Sequence, residues 1–99
     1  MFYTYILYSE SLGLFYKGST SDVAARLDRH NSKMEKFTRK GVPWKLIWYT
    51  EKESKSEAYQ LELKLKNLSR KRLVDFMLKY KDDITSTDEL LFIQKLSEC

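Results

Sequence analysis

Two aromatic, β-branched runs joined by a short glycine-bearing link open the chain, and they constrain everything that follows. Residues 2–8 read FYTYILY and residues 14–19 read LFYKGS, with Ser9, Glu10, Ser11, Leu12 and Gly13 between them. Runs of this kind fit a pleated, half-buried surface, and a five-residue connection with glycine turns one run back beside the other. The chain therefore begins as a β-hairpin and must find a third strand or helices to cover it. Residues 44–50, WKLIWYT, supply that strand.

The segments between and after the strands read as helices and one loop. Ser19, Thr20, Ser21 and Asp22 are N-cap types ahead of Val23-Ala24-Ala25-Arg26-Leu27, which predicts a first helix ending near His30 and Asn31. Residues 32–43 lack periodicity and close on Gly41-Val42-Pro43, a loop carrying Lys33, Lys36, Arg39 and Lys40. Ser54 and Glu57 form a capping box, followed by Ala58, Leu61, Leu65 and Leu68 at helical spacing. Ser69 interrupts that pattern, and residues 71–79 with Leu73, Phe76, Met77 and Tyr80 form a further helix or a continuation beyond a kink. A second box, Ser86 and Glu89, opens a short terminal helix with Leu90, Leu91, Phe92, Ile93 and Leu96. Its apolar residues exceed one narrow stripe, so it either folds back on the core or presents an interaction surface. The order β-β-α-β-α-α predicts an α/β (α+β) fold, a small three-stranded antiparallel or mixed sheet flanked by helices.

At 99 residues the chain holds one core, burying roughly 60–65% of its unfolded surface without need of a staple. No apolar run nears the roughly 20 residues that span a bilayer, and the first residues lack a basic region before an apolar one. The expectation is a soluble, unexported chain with no membrane partner. Cys99, the single cysteine, allows no internal disulfide or clustered zinc site, which fits the cytoplasm. Charge is uneven: residues 1–81 carry 17 basic and nine acidic side chains, residues 82–99 one basic and five acidic. This divides the chain into a basic domain, 1–81, suited to approach phosphates, and an acidic C-terminal extension, 82–99, with a short helix.

Four elements offer polar groups that can converge. Arg26 and His30, four apart, project from one side of the first helix with Cβ atoms roughly 5–6 Å apart. Glu62 lies at the margin of the apolar stripe of the second helix, where a carboxylate can hold a hard divalent cation. Tyr5 and Tyr16 sit on the paired strands and can share a face. Taken singly, each has an ordinary role. The tyrosines can be packing, Arg26 a surface group, His30 a C-terminal cap, and Glu62 with Lys66 an i,i+4 ion pair worth a few tenths of a kcal/mol.

Their order and spacing resemble the GIY-YIG nuclease family. The resemblance rests on Tyr3-Thr4-Tyr5-Ile6-Leu7 and Tyr16-Lys17-Gly18-Ser19-Thr20 in the places of the two naming motifs. It continues through Arg26-Leu27-Asp28-Arg29-His30-Asn31, Phe37-Thr38-Arg39 ahead of Pro43-Trp44-Lys45-Leu46, and Glu57-Ala58 leading to Glu62-Leu63-Lys64-Leu65-Lys66, over about residues 2–80. Within the family the chain is similar to small stand-alone members, which are related to the N-terminal nuclease module of the bacterial excision-repair excinuclease. The resemblance implies the GIY-YIG fold and divalent-metal-dependent hydrolysis of phosphodiester bonds in DNA, in repair or processing. It places Tyr5 and Tyr16 as the motif tyrosines, Gly18 as the motif glycine, Arg26 as the helix arginine, His30 where the family has His or Tyr, and Glu62 as ligand of one Mg²⁺ or Mn²⁺.

Hydrolysis needs a base for the attacking water, neutralisation of the phosphorane and stabilisation of the leaving 3′-oxygen. Tyr16 and His30 are both candidates for the base; a phenol needs nearby cations to serve at neutral pH, whereas His30 has an unperturbed pKa near 6.5. Arg26 suits two phosphate oxygens. Lys17, Arg29, Lys33, Lys36, Arg39, Lys40 and Lys66 are the expected nucleic-acid contacts, with Lys17 on the strand face opposite Tyr16. Two departures stand out: the motifs read Tyr-Thr-Tyr and Tyr-Lys-Gly, and Ser19 stands where the excision-repair modules carry lysine. The alternatives are a non-catalytic nucleic-acid-binding module or a nuclease that depends on a protein partner for targeting. RNA in place of DNA, the preferred substrate shape and the oligomeric state stay open.

Overall fold

The computed structural model describes residues 1–98; Cys99 lies outside them. Three strands form one antiparallel sheet: β1 (Phe2–Ser9), β2 (Leu14–Thr20) and β3 (Trp44–Lys52), in the order β2-β1-β3. The hairpin closes as expected, with Gly13 at φ 65° and its N–H donating to the Ser9 carbonyl at 2.8 Å. A side chain would strain that left-handed conformation, which is why glycine ends the link. β1 is central because it alone is apolar on both faces; Thr4 to Ser9 are all buried.

Alternation along β1 divides the molecule. Ile6 and Tyr8 face the larger core with Ile47, Trp48, Leu65 and Met77, while Tyr5 and Leu7 face a smaller cluster with Trp44, Tyr16 and Leu27. A bulge helps to build both. Ile6 pairs with Trp48 and Leu7 with Leu46, leaving Ile47 between them, so that consecutive residues Ile47 and Trp48 are both fully buried.

Helix α1 (Val23–Asn31) covers the smaller cluster, starting at Asp22, whose carboxylate accepts the Ala25 N–H. Helix α2 (Lys55–Lys66) starts at the expected capping box, Ser54 with Glu57. It ends at Asn67, and Ser69 caps a separate helix α3 (Arg70–Lys79). The interruption is therefore a new N-cap and not a kink. Ser86 caps α4 (Thr87–Ser97), which folds back: Ile93 is fully buried in the larger core, and the Phe92 ring lies 4.8 Å from that of Tyr8. The loop of residues 32–43 contains a short 3-10 turn, Arg39–Gly41. Among the described residues no helix is long and apolar enough to cross a membrane.

Candidate active site

Strand register brings the two tyrosines together. Tyr5 pairs with Gly18 and Leu7 with Tyr16, so Tyr5 and Tyr16 are diagonal neighbours on one face, their rings 6.3 Å apart. His30, in the last turn of α1 and 1% exposed, enters against both, 4.8 Å from the Tyr16 ring and 6.0 Å from that of Tyr5. Its Nε2 lies 3.0 Å from the Tyr5 hydroxyl and its Nδ1 2.7 Å from the Thr38 hydroxyl. The Thr38 hydroxyl also lies 3.5 Å from the Glu35 carbonyl, and which partner donates in each His30 bond follows the tautomer of the imidazole. Thr38 is itself held by the Trp44 indole N–H, which donates to its carbonyl at 2.6 Å. Asn31 locks α1 to the start of β3 by exchanging two bonds with the Trp44 backbone.

Glu62 approaches from α2 on the far side of β2. Although 9% exposed, it is satisfied: the Ser19 hydroxyl donates to Oε1 at 2.7 Å and Lys66 pairs with Oε2 at 2.8 Å. The expected i,i+4 ion pair exists, and both of its members act on the charge of Tyr16. Burial holds the Tyr16 phenol above its ordinary pKa; Lys66 pulls it back down, and Glu62 pushes it up. Burial raises the Tyr5 phenol as well, with Tyr16 adding to it and Arg26 opposing. His30 is shifted down, mainly by burial, and is neutral at pH 7. Lys17 is half-buried opposite Ile6, its pKa lowered by burial and by Lys66. A cavity of about 200 Å³ opens beside Arg26, lined by Phe2, Ser19, Thr20, Ser21, Lys55 and Ala58. A larger groove of about 550 Å³, by Tyr3, Val23, Leu46 and Tyr49, contains none of the predicted catalytic residues.

The chain is similar to known proteins. The GIY-YIG catalytic domain family matches residues 1–75. The UPF0213 protein of Streptococcus agalactiae is 34% identical over 82 residues, 82% of this chain and 92% of its own length. That of Streptococcus pneumoniae is 38% identical over 81% of each chain. The solution NMR structure of a Bacillus halodurans UPF0213 protein superposes with a TM-score of 0.50 at 37% identity, covering 82% of this chain and 86% of that one. This chain belongs to the GIY-YIG nuclease family.

In this GIY-YIG chain the motif glycine has a steric reason. A Cβ on Gly18 would stand 2.5 Å from the Tyr5 hydroxyl oxygen and 2.6 Å from Cζ, so only glycine lets the Tyr5 ring lie across β2. The Ser19 hydroxyl steadies the Glu62 carboxylate, while positive charge beside Tyr16 comes from Lys66 on α2. From the sequence Ser19 is an N-cap type and a departure from lysine, with no sign of its bond to Glu62, and Thr38 and Trp44 carry no role although they stand in the motif blocks. The hydroxyl-to-Glu62 bond spans 43 positions and leaves no local signal.

The remaining basic residues spread along the rim. Arg29 pairs with Glu35 at 3.0 Å, while Lys33, Lys36, Arg39 and Lys40 are exposed on the loop that carries Thr38. Among the described residues no group of three or more His, Cys, Asp or Glu gathers to hold a metal. Glu62 nevertheless fits a hard cation of the Mg²⁺ type, which takes one or two carboxylates and completes its shell with water and phosphate.

Proposed function

We propose that this protein is a divalent-metal-dependent endonuclease that hydrolyses phosphodiester bonds in DNA, in repair or another processing reaction in the cytoplasm. The observation that supports this best is Glu62. A carboxylate with little exposure is held by Ser19 and Lys66 close enough to Tyr16 to perturb it, within a basic domain. A module that only bound nucleic acid would have no use for negative charge there.

In this reading Glu62 holds one Mg²⁺ or Mn²⁺, which when bound supplies positive charge against the phosphate oxygens. Arg26 grips the phosphate with its planar fork and stabilises the charge that builds as the water oxygen bonds to phosphorus and the bond to the 3′-oxygen breaks. Tyr16 is the base: burial holds its phenol above the ordinary pKa, so it takes the water's proton only as the phenolate, which the charges of Lys66 and of a cation at Glu62 would favour, whereas both nitrogens of His30 are engaged. His30 instead fixes the Tyr5 hydroxyl, a positioning task that suits a buried, neutral imidazole. Lys17, Arg29, Lys33, Lys36, Arg39, Lys40 and Lys66 hold the flanking backbone.

The test is cleavage of labelled single-stranded, duplex, flap and branched DNAs with Mg²⁺ or Mn²⁺, with Glu62→Gln and Arg26→Ala alongside. Cleavage lost in both variants is the expected result. Binding without cleavage by the unaltered protein would point to a non-catalytic module or to a nuclease that needs a partner.

A further inference from the structure

Phe37 is 90% exposed, the most exposed of the large apolar side chains among the described residues, and it sits in a loop that is firmly built. The backbone on either side of Phe37 is hydrogen-bonded: Lys33 N–H donates to His30, Met34 to Arg29, Thr38 and Arg39 to Glu35, and Gly41 to Thr38. The Glu35–Arg29 ion pair ties it to α1. The neighbouring residue, Thr38, is 1% exposed and bonded to both His30 and Trp44. Folding thus anchors the backbone beside Phe37 to the candidate catalytic cluster while leaving the ring in water.

Such a ring has no structural task to lose, and its surroundings say what would cover it. Lys33, Lys36, Arg39 and Lys40 are exposed on the same loop, and the loop's one carboxylate, Glu35, is already paired with Arg29. An apolar protein partner would have to bury those four cations. A single-stranded nucleic acid would not, because its phosphates meet the lysines and arginine while an unstacked base lies on the aromatic face. A duplex offers the phosphates but keeps its bases stacked.

We infer that Phe37 is a base-stacking residue that captures an unpaired nucleotide beside the cleavage site, making unpaired DNA the preferred substrate. The assignment rests on the nuclease reading for its purpose. Its physical content, a base on an aromatic ring, is separable from cleavage. Through Thr38, His30 and Tyr5 the stacked base is held at a set position relative to the reacting phosphate.

The experiment is binding without metal, by fluorescence anisotropy, of a labelled single-stranded oligodeoxynucleotide and of the matching duplex, to the full chain and to Phe37→Ala, Phe37→Tyr and Phe37→Trp. Phe37→Ala should weaken single-strand binding about 5- to 150-fold, the range for one lost stacking contact. Duplex binding and the melting temperature should stay unchanged. Phe37→Tyr should restore binding, and the indole of Phe37→Trp should report the strand by a change in emission. An oligonucleotide series with one abasic site moved along it should show one position where base removal hurts the unaltered protein and not Phe37→Ala. Equal loss on single strand and duplex, or no loss on either, would overturn the assignment and leave the nuclease reading standing. If neither form is cleaved with metal while these binding results hold, the reading of a nuclease active by itself fails, leaving a non-catalytic module or a partner-dependent nuclease, and the stacking site remains.

Discussion

Ser19 donates its hydroxyl to Glu62 at 2.7 Å, joining the middle of an edge motif on β2 to the one buried carboxylate of α2. The serine therefore orients the carboxylate. Ser19→Ala is expected to lower Mn²⁺ affinity about 10- to 100-fold, as outer contacts to metal ligands generally do, with little change in DNA binding. Calorimetric titration of Mn²⁺ with and without a non-cleavable DNA decides the point.

Glu62→Gln should remove cleavage by on the order of 100-fold or more, since charge stabilisation by a bound cation contributes several kcal/mol. DNA affinity in the same variant should be equal or higher, because Lys66 loses its partner and negative charge leaves the phosphate site. Turnover equal to that of the unaltered protein would reject Glu62 as the ligand.

His30 links acidity to stability. Burial holds its pKa below the ordinary 6.5, so the unfolded chain takes up a proton before the folded one does. Its contribution is complete above about pH 6.5 and is lost as the pH falls from there through the lower folded value. Denaturant melts across this range should show that loss in the unaltered protein and a smaller one in His30→Gln. His30→Ala should cost about 2–4 kcal/mol at neutral pH, since it empties a buried space and strands the Tyr5 hydroxyl.

Gly18→Ala tests the close approach of the two naming motifs. The added methyl would meet the Tyr5 ring at 2.5–3.0 Å, and that ring is 1% exposed and bonded to His30, so it has little room to yield. A stability loss of about 1–3 kcal/mol is expected by denaturation, together with loss of cleavage because Tyr5 is displaced.

Removal of residues 82–99 should destabilise the protein strongly, although that stretch is acidic and lies outside the family match at residues 1–75. Ile93 belongs to the same cluster as Trp48 and Met77, and Thr85 binds β3 through its N–H to Ile47 and its hydroxyl to Leu46. Ile93→Ala alone should cost about 2–5 kcal/mol. A truncated chain that still unfolds cooperatively at the original midpoint would show the extension to be peripheral.

What the sequence determined by itself is what short-range physics determines. The hairpin was legible in two β-forming runs around Gly13, and the starts of α2 and α4 in Ser54 with Glu57 and Ser86 with Glu89, because a strand run, a turn and a cap are settled within a few residues. The family, too, was legible, since its motifs are local blocks in a set order. Register alone put Tyr5 across from Gly18. The packing of α2 against β2 made Ser19 and Lys66 the partners of Glu62, and the path of the loop put Thr38 on His30 while leaving Phe37 in water. The fate of Ile93 was decided the same way, by which surface of the larger core was still uncovered. These outcomes depend on groups far apart in the chain, 43 positions for Ser19 and Glu62. Such contacts form only where the whole fold makes them favourable together, and no local pattern encodes them.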